Sequence, residues 1–330
     1  GIFNNEINFD NHLIQSTGAC YGIFLAKYDV QGLFLWAKAS HYSFAGSGTP
    51  DAASRALCTD LNNDVYVAGY FGSDTLLFDD HYVTNTYSVR NVFIAKIDPA
   101  GNTLWVKGAE SRPSLFRLSG NSLVADGNGI YLAGEFEGDS VFFENHLITR
   151  AGDYSDMFLC KYDPQGNVLW AQSMGTESMD YGSGLAADGA GHIYVSGTTN
   201  GAYFHINATA IDTLVGGNNA LLLSLDTEGS FQQLKSPVNI PGGQSMGQGL
   251  AMDGNGGILL SGSFYNNVCF GSDTLSSTNI WEDVFVCKLY PLVIGLSENQ
   301  SYGGHFKLFP NPCTDFIGIE GPGNEEGGIE

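Results

Sequence analysis

Three copies of one short box set groups of metal-ligand type side by side: Phe9-Asp10-Asn11-His12, Phe78-Asp79-Asp80-His81 and Phe143-Glu144-Asn145-His146. Carboxylate, amide and imidazole together are the donors of a metal site. However, acidic and amide residues flanked by strand formers are also default hairpin turns. The boxes recur one per repeat, so the copies are held apart, and the reading adopted is a turn. The same slot later carries Phe204-His205-Ile206-Asn207 and Phe270-Gly271-Ser272-Asp273. Asp60-Leu61-Asn62-Asn63-Asp64 opens like a calcium loop, but Val65 and Phe71 stand where such a loop needs Gly and Glu. Calcium is therefore not assigned there, and no cofactor is. No nucleophile elbow, zincin helix or phosphate loop is present. Paired carboxylates for glycoside hydrolysis could be drawn from Asp79, Asp80, Glu135 and Glu137, but nothing in the sequence selects a pair.

The elements that carry these groups come from a repeat. FLAKYDVQGLFLW at 24–36, FIAKIDPAGNTLW at 93–105 and MFLCKYDPQGNVLW at 157–170 share Lys, Asp, Gly and Trp at fixed spacing. The sets are Lys27/Asp29/Gly32/Trp36, Lys96/Asp98/Gly101/Trp105 and Lys161/Asp163/Gly166/Trp170. A fourth copy keeps Asp226 and Gly229 but has Ser224 and Gln233 in the Lys and Trp slots; a fifth, 284–290, keeps only the first half with Lys288. A second anchor runs from Asp60 to Gly69, Asp126 to Gly134, Asp188 to Gly197 and Asp253 to Gly262, and both anchors recur about every 65 residues. The recurring lysines read as structural, with the stem over an aromatic ring and the ammonium in water.

Thirty-five acidic residues against 13 basic give a net charge of −22, which disfavours nucleic-acid backbones and anionic lipid as partners. No apolar run approaches the roughly 18 residues needed to span a bilayer. Cys58, Cys160 and Cys287 occupy slots that hold Ala, Val or Leu in other copies, so they read as core thiols; Cys20, Cys269 and Cys313 have no such counterpart.

Each period is short apolar alternation broken by Gly, Asn and Asp, which predicts a small antiparallel sheet. In the third copy the strands are read as 130–136, 140–149, 156–162 and 167–173, with Asp163-Pro164-Gln165-Gly166 the tight turn between the last two. Repeated four-stranded sheets arranged radially are the blades of a β-propeller. The expected fold is thus all-β: a partial blade at 1–50 and blades at about 53–115, 120–180, 182–241 and 246–292. The strand ending in Ala68-Gly69, Ala133-Gly134, Ser196-Gly197 or Ser261-Gly262 is expected nearest the axis, where only small residues fit, with Trp36, Trp105 and Trp170 on the outer strand. The chain enters inside a repeat at Gly1, so a signal peptide and further blades are expected upstream. Residues 293–305 read as a linker, and Phe306–Glu320 as the start of a second, truncated β domain.

The two anchors resemble the SBBP-type β-propeller repeats of secreted bacterial proteins over roughly residues 1–290. The box Phe309-Pro310-Asn311-Pro312 resembles the opening of the C-terminal sorting domain of the type IX secretion system of Bacteroidetes-type bacteria, here 306–330. That resemblance implies export to the outer cell surface or beyond, the secretion machinery as a partner, and no catalytic residues. The expected function is a binding or display module for an extracellular protein or glycan. The alternative is an extracellular enzyme on polysaccharide with its site at the channel mouth. Nearly every polar residue has a counterpart in another copy, which favours the module. The irregular inserts 41–52 and 108–120, with Arg112 and Arg117, are where a private function would reside.

Overall fold

The computed structural model describes residues 1–16, 21–43, 51–86, 90–110, 117–214, 217–239, 242–271, 273–277 and 282–289. The 293–305 linker, the motif Phe309–Pro312, Arg112, Cys20 and Cys313 lie outside the described residues. Among those described, every regular element is a β-strand and the ladders are antiparallel.

The third repeat shows the unit. Strands Arg117–Asp126, Gly129–Glu137, Asp156–Tyr162 and Val168–Gly175 pair in chain order. The second repeat does the same with Ala52–Thr59, Val65–Phe71, Asn91–Ile97 and Thr103–Gly108, and the fourth with Asp180–Ala187, His192–Thr199, Asn219–Asp226 and Phe231–Lys235. Among the described residues the first and fifth repeats have three strands each: Ile2–Asn4, Tyr21–Tyr28 and Phe34–Ala39, then Gln244–Met252, Ile258–Tyr265 and Asp283–Leu289.

Two strands differ from the sequence reading. The run 140–149 is not one strand of the sheet: Glu144 sits at φ 51°, and the run folds back as a separate hairpin, Ser140–Phe143 with His146–Thr149. Its place in the sheet belongs to Arg117–Asp126, which leads the repeat. That strand is hard to read because its register shifts between Gly120 and Ser122, so its side-chain alternation is broken. The same shift recurs at Ser54/Ala56, Gly182/Gly184 and Gly247/Gly249. The small residues at Gly69, Gly134, Gly197 and Gly262 are therefore in the second strand, and a local cause explains them. A Cβ on each would collide with a first-strand carbonyl oxygen beside the bulge: Ala53, Ser119, Tyr181 and Met246 respectively.

The sheet of the third repeat is buried on both faces by its neighbours in sequence. From one strand, Ile130, Leu132 and Phe136 pack with Tyr66, Ala68, Val92 and Ile94 of the second repeat. The alternate residues Tyr131 and Ala133 pack with Leu185, Ile193 and Val195 of the fourth. Strands covered on both sides need near-continuous apolar runs, which the second and third strands have. Cys160 lies in the first of these cores with Cys58 packed against it, and Cys287 lies in the core between the fourth and fifth repeats. All three thiols are free, and burial pushes those of Cys58 and Cys287 up to about 12.

Successive repeats also interlock through backbone. After its fourth strand, each chain segment pairs with the hairpin of the next repeat: His41–Ser43 with Thr75–Phe78, Glu110 with Phe142, Met174 with Ile206, and Val238–Asn239 with Val268 and Cys269.

Candidate functional site

The two ends of the sheets differ in kind. At one end stand the recurring residues, and their roles are architectural. The carboxylates of Asp60, Asp98, Asp126, Asp163, Asp188, Asp226 and Asp253 each accept backbone N–H groups two to four residues ahead, as does Asp29, so each closes its own turn. The Lys and Trp of one repeat then seize the turn of the next. Lys27 Nζ and Trp36 Nε1 both donate to the Pro99 carbonyl at 2.9 and 3.1 Å. Lys96 and Trp105 donate to Pro164 at 3.3 and 3.1 Å, and Lys161 and Trp170 to Thr227 at 2.7 and 3.2 Å. Gly101, Gly166 and Gly229 hold φ of 95°, 84° and 83°, and the first two lie flat against the Trp36 and Trp105 rings.

Gly32 closes the same kind of turn as Gly101 and Gly166. It is exposed, and a Cβ there would meet nothing within 4 Å, so among the described residues no tryptophan from a preceding repeat covers it. Its part is confined to its own turn, where φ is 82° and its N–H donates to the Asp29 carbonyl at 3.0 Å. At the other end of the series, the fourth repeat lacks both Lys and Trp, and the fifth lacks the Asp and Gly of the turn they would hold, with Tyr290 and Val293 in those slots.

The lysine ammonium groups are not in water as expected from sequence. Lys96 and Lys161 are about 5% and 4% exposed. Lys96 Nζ lies 2.9 Å from Asp64 Oδ2, 3.6 Å from Asp60 Oδ2 and 5.1 Å from the Tyr66 ring centre. The resemblance of 60–64 to a calcium loop is thus occupied by a protein cation.

The Phe-acid-Asx-His boxes form the hairpin turns, with positive φ at Asp10, Asp79, Glu144, Asn207 and Gly271. Lys38 of the first repeat pairs with Asp79, which also accepts the Thr103 N–H at 3.0 Å. Lys107 of the second pairs with Glu144 at 3.1 Å, and Glu144 accepts the Val168 N–H. Asn207 does the same work uncharged, accepting the Ser173 N–H at 3.1 Å. Among the described residues, no three His, Cys, Asp or Glu side chains converge as metal ligands.

The opposite end carries residues without counterparts. First strands begin there, second strands end there and third strands begin there, so Asp51, Arg55, Tyr70, Arg90, Arg117, Glu135 and Tyr181 share it. Arg117 pairs with Glu135, and Arg90 with Asp51. The Arg90 and Arg55 guanidinium groups lie 4.6 and 5.4 Å from the Tyr70 ring centre, and Tyr70 Oη donates to Asp51 at 3.3 Å. Glu135 is 5% exposed, and burial raises its carboxyl above the ordinary range although Arg117, Arg55 and Arg90 pull it down. Arg117 and Glu135 line a cavity of about 60 Å³ with Glu137, Tyr154, Met179 and Tyr181. The guanidinium-bearing side chains of Arg90 and Arg117 remain about 40% exposed, and Tyr154, Met179 and Tyr181 are exposed beside them.

Residues 171–205 match the family model described as a β-propeller repeat, SBBP. Over 150 residues the sequence is 30% identical to an uncharacterized WD repeat-containing protein of Acanthamoeba polyphaga mimivirus, a match covering 43% of this chain and 9% of that protein. Both matches point to β-propeller repeats in this chain. The chain spans about a tenth of the length of that relative.

Within these propeller repeats, the sequence reading singled out Arg117, Glu135 and Glu137 from separate stretches, and the structure brings them to one cavity. It missed Arg55, Arg90 and Asp51. A signal was present, because the chain has only five arginines and none of them falls in a recurring slot. Also missed were two buried aspartates just below the cavity. Asp156 fills a slot held by Asn91 and Asn219 in neighbouring repeats, and Asp180 one held by Ala52, Leu118 and Ser245. Burial pushes these carboxyls up to about 7 and about 8.

Proposed function

We propose that this protein is a secreted or cell-surface propeller of four-stranded blades that binds an anionic glycan at its non-repeated end. The observation that carries the reading is the division between the two ends. Recurring polar residues are consumed in turns and inter-repeat contacts, whereas half-exposed Arg90 and Arg117 stand beside exposed Tyr154 and Tyr181. A guanidinium offers a planar fork to a carboxylate, and a tyrosine face accepts a sugar ring. In a chain of net charge −22, gathering cations at one place favours a local anionic ligand. Arg90→Ala/Arg117→Ala is expected to weaken binding to uronic-acid oligosaccharides at least tenfold by calorimetry, with neutral glycans unaffected. Equal loss for both classes, or no binding by the parent protein, argues against the site.

The polysaccharide-enzyme reading draws on Glu135, a buried carboxyl held above its ordinary range beside Arg117. Reducing-end release from the same oligosaccharides that Glu135→Gln abolishes would replace the binding module by an enzyme. Export rests on Phe309-Pro310-Asn311-Pro312. Removal of 306–330 is expected to leave the protein in the periplasm of a bacterium with that secretion system; unchanged surface display would exclude the signal.

A further inference from the structure

Where the third and fourth repeats meet, three segments close on each other: 151–156, 175–180 and 199–201. Two carboxylates face the same small space. A Cβ on Gly175 would stand 2.8 Å from Asp156 Oδ1 and 2.9 Å from Asp180 Oδ2, so only a glycine leaves the space open. Asp156 and Asp180 are both fully buried. Asp180 accepts the Thr176 N–H at 2.6 Å and lies 2.9 and 3.0 Å from Thr176 Oγ1. Asp156 Oδ2 accepts the Ala151 N–H at 2.6 Å, but its Oδ1 has no hydrogen-bond partner. Thr199 stands opposite Asp180 in register, hence on the same face of the sheet, and its buried Oγ1 also has no partner.

Two buried carboxyls facing one small space need either a proton held between them or a compensating cation. Arg150, whose charge acts on Asp156, makes its hydrogen bonds to Asp139 Oδ1 at 2.8 Å and the Asp153 carbonyl at 2.6 Å. At the next junction the same slots are neutral and satisfied: Asn239 bridges Asn219 Oδ1 at 2.7 Å and Ser245 Oγ at 3.2 Å. Two carboxyl groups, hard oxygen donors throughout and two buried oxygens left without partners, Asp156 Oδ1 and Thr199 Oγ1, suit a hard cation as the occupant.

We propose that Asp156, Asp180, Thr176 and Thr199 bind one calcium ion at this junction. Calcium takes six to eight oxygens and tolerates irregular shells, whereas magnesium needs a tighter octahedron. The ion ties together the segments that carry Tyr154, Ser155, Met179 and Tyr181 at the cavity above, yet the site stands without reference to any glycan.

The experiment is a titration of chelator-treated protein with calcium chloride, followed by calorimetry and thermal unfolding. One equivalent should bind, and 1 mM calcium should raise Tm by about 5 °C or more, with magnesium giving less. Asp156→Asn/Asp180→Ser carries the pair that the next junction holds, Asn219 with Ser245, so it should fold and lose the response. Asp98→Asn, on an exposed turn, should keep it. No stoichiometric binding by the parent protein, or binding that survives the double substitution, would overturn the site. So would a double variant more stable than the parent with or without calcium, which would mean the pair shares a proton.

Discussion

Gly134→Ala is expected to destabilise the protein by about 3 kcal/mol or more in urea titration, although it adds one methyl group to a well-covered strand. The methyl would meet the Ser119 carbonyl oxygen and lie 2.8 Å from the Phe158 ring. Phe158 is fully buried, and the carbonyl is fixed by the bulge at Gly120/Ser122, so neither can yield without moving the first strand. Gly127→Ala supplies the control. It adds the same methyl two residues before the second strand, where nothing lies within 4 Å, and should change stability by less than about 0.5 kcal/mol. Equal effects at the two positions would refute the collision. Gly69, Gly197 and Gly262 should behave as Gly134 does, since each faces the corresponding carbonyl.

The second large effect is expected at Lys96→Met, at about 3 kcal/mol. Methionine replaces the stem but removes the charge, leaving Asp60 and Asp64, with side chains 12% and 14% exposed, facing each other without a cation. Burial by itself would lower the Lys96 ammonium; hydrogen bonds and charge from Tyr66 and Asp64 outweigh it and hold it above its ordinary value. With the folded value raised, this contribution is fully present below the ordinary lysine pKa of about 10.4 and is lost as pH rises through the folded value. Adding Asp64→Asn to Lys96→Met should recover part of the loss. A double-mutant cycle with no coupling between the two sites would remove the ion pair from the account.

Much of this was legible before the fold was known, and the reason is repetition. A slot seen four or five times averages out local accident. Lys, Asp, Gly and Trp at constant spacing therefore located the turns, and Asp156–Tyr162 was read with its true limits. Repetition also obscured things. The lysines were placed in water because an ammonium seldom lies buried, but Lys96 and Lys161 are buried and reach the next repeat's turn, a contact some 65 residues away that no local window contains. The first strand of each repeat was overlooked because a bulge breaks its alternation. The private end was read only in part, through Arg117, Glu135 and Glu137, because its members lie in different repeats and are bound by no spacing rule.

The sequence by itself determined the all-β class, the period and the turns, since these depend on backbone preference and on contacts within a few residues. Only the tertiary structure decided that Arg90, Arg117, Glu135 and Tyr181 meet, and that Asp156 and Asp180 face one another behind Gly175. Those meetings depend on how one sheet lies against the next, and the free energy that sets this is spread over the whole apolar face between them.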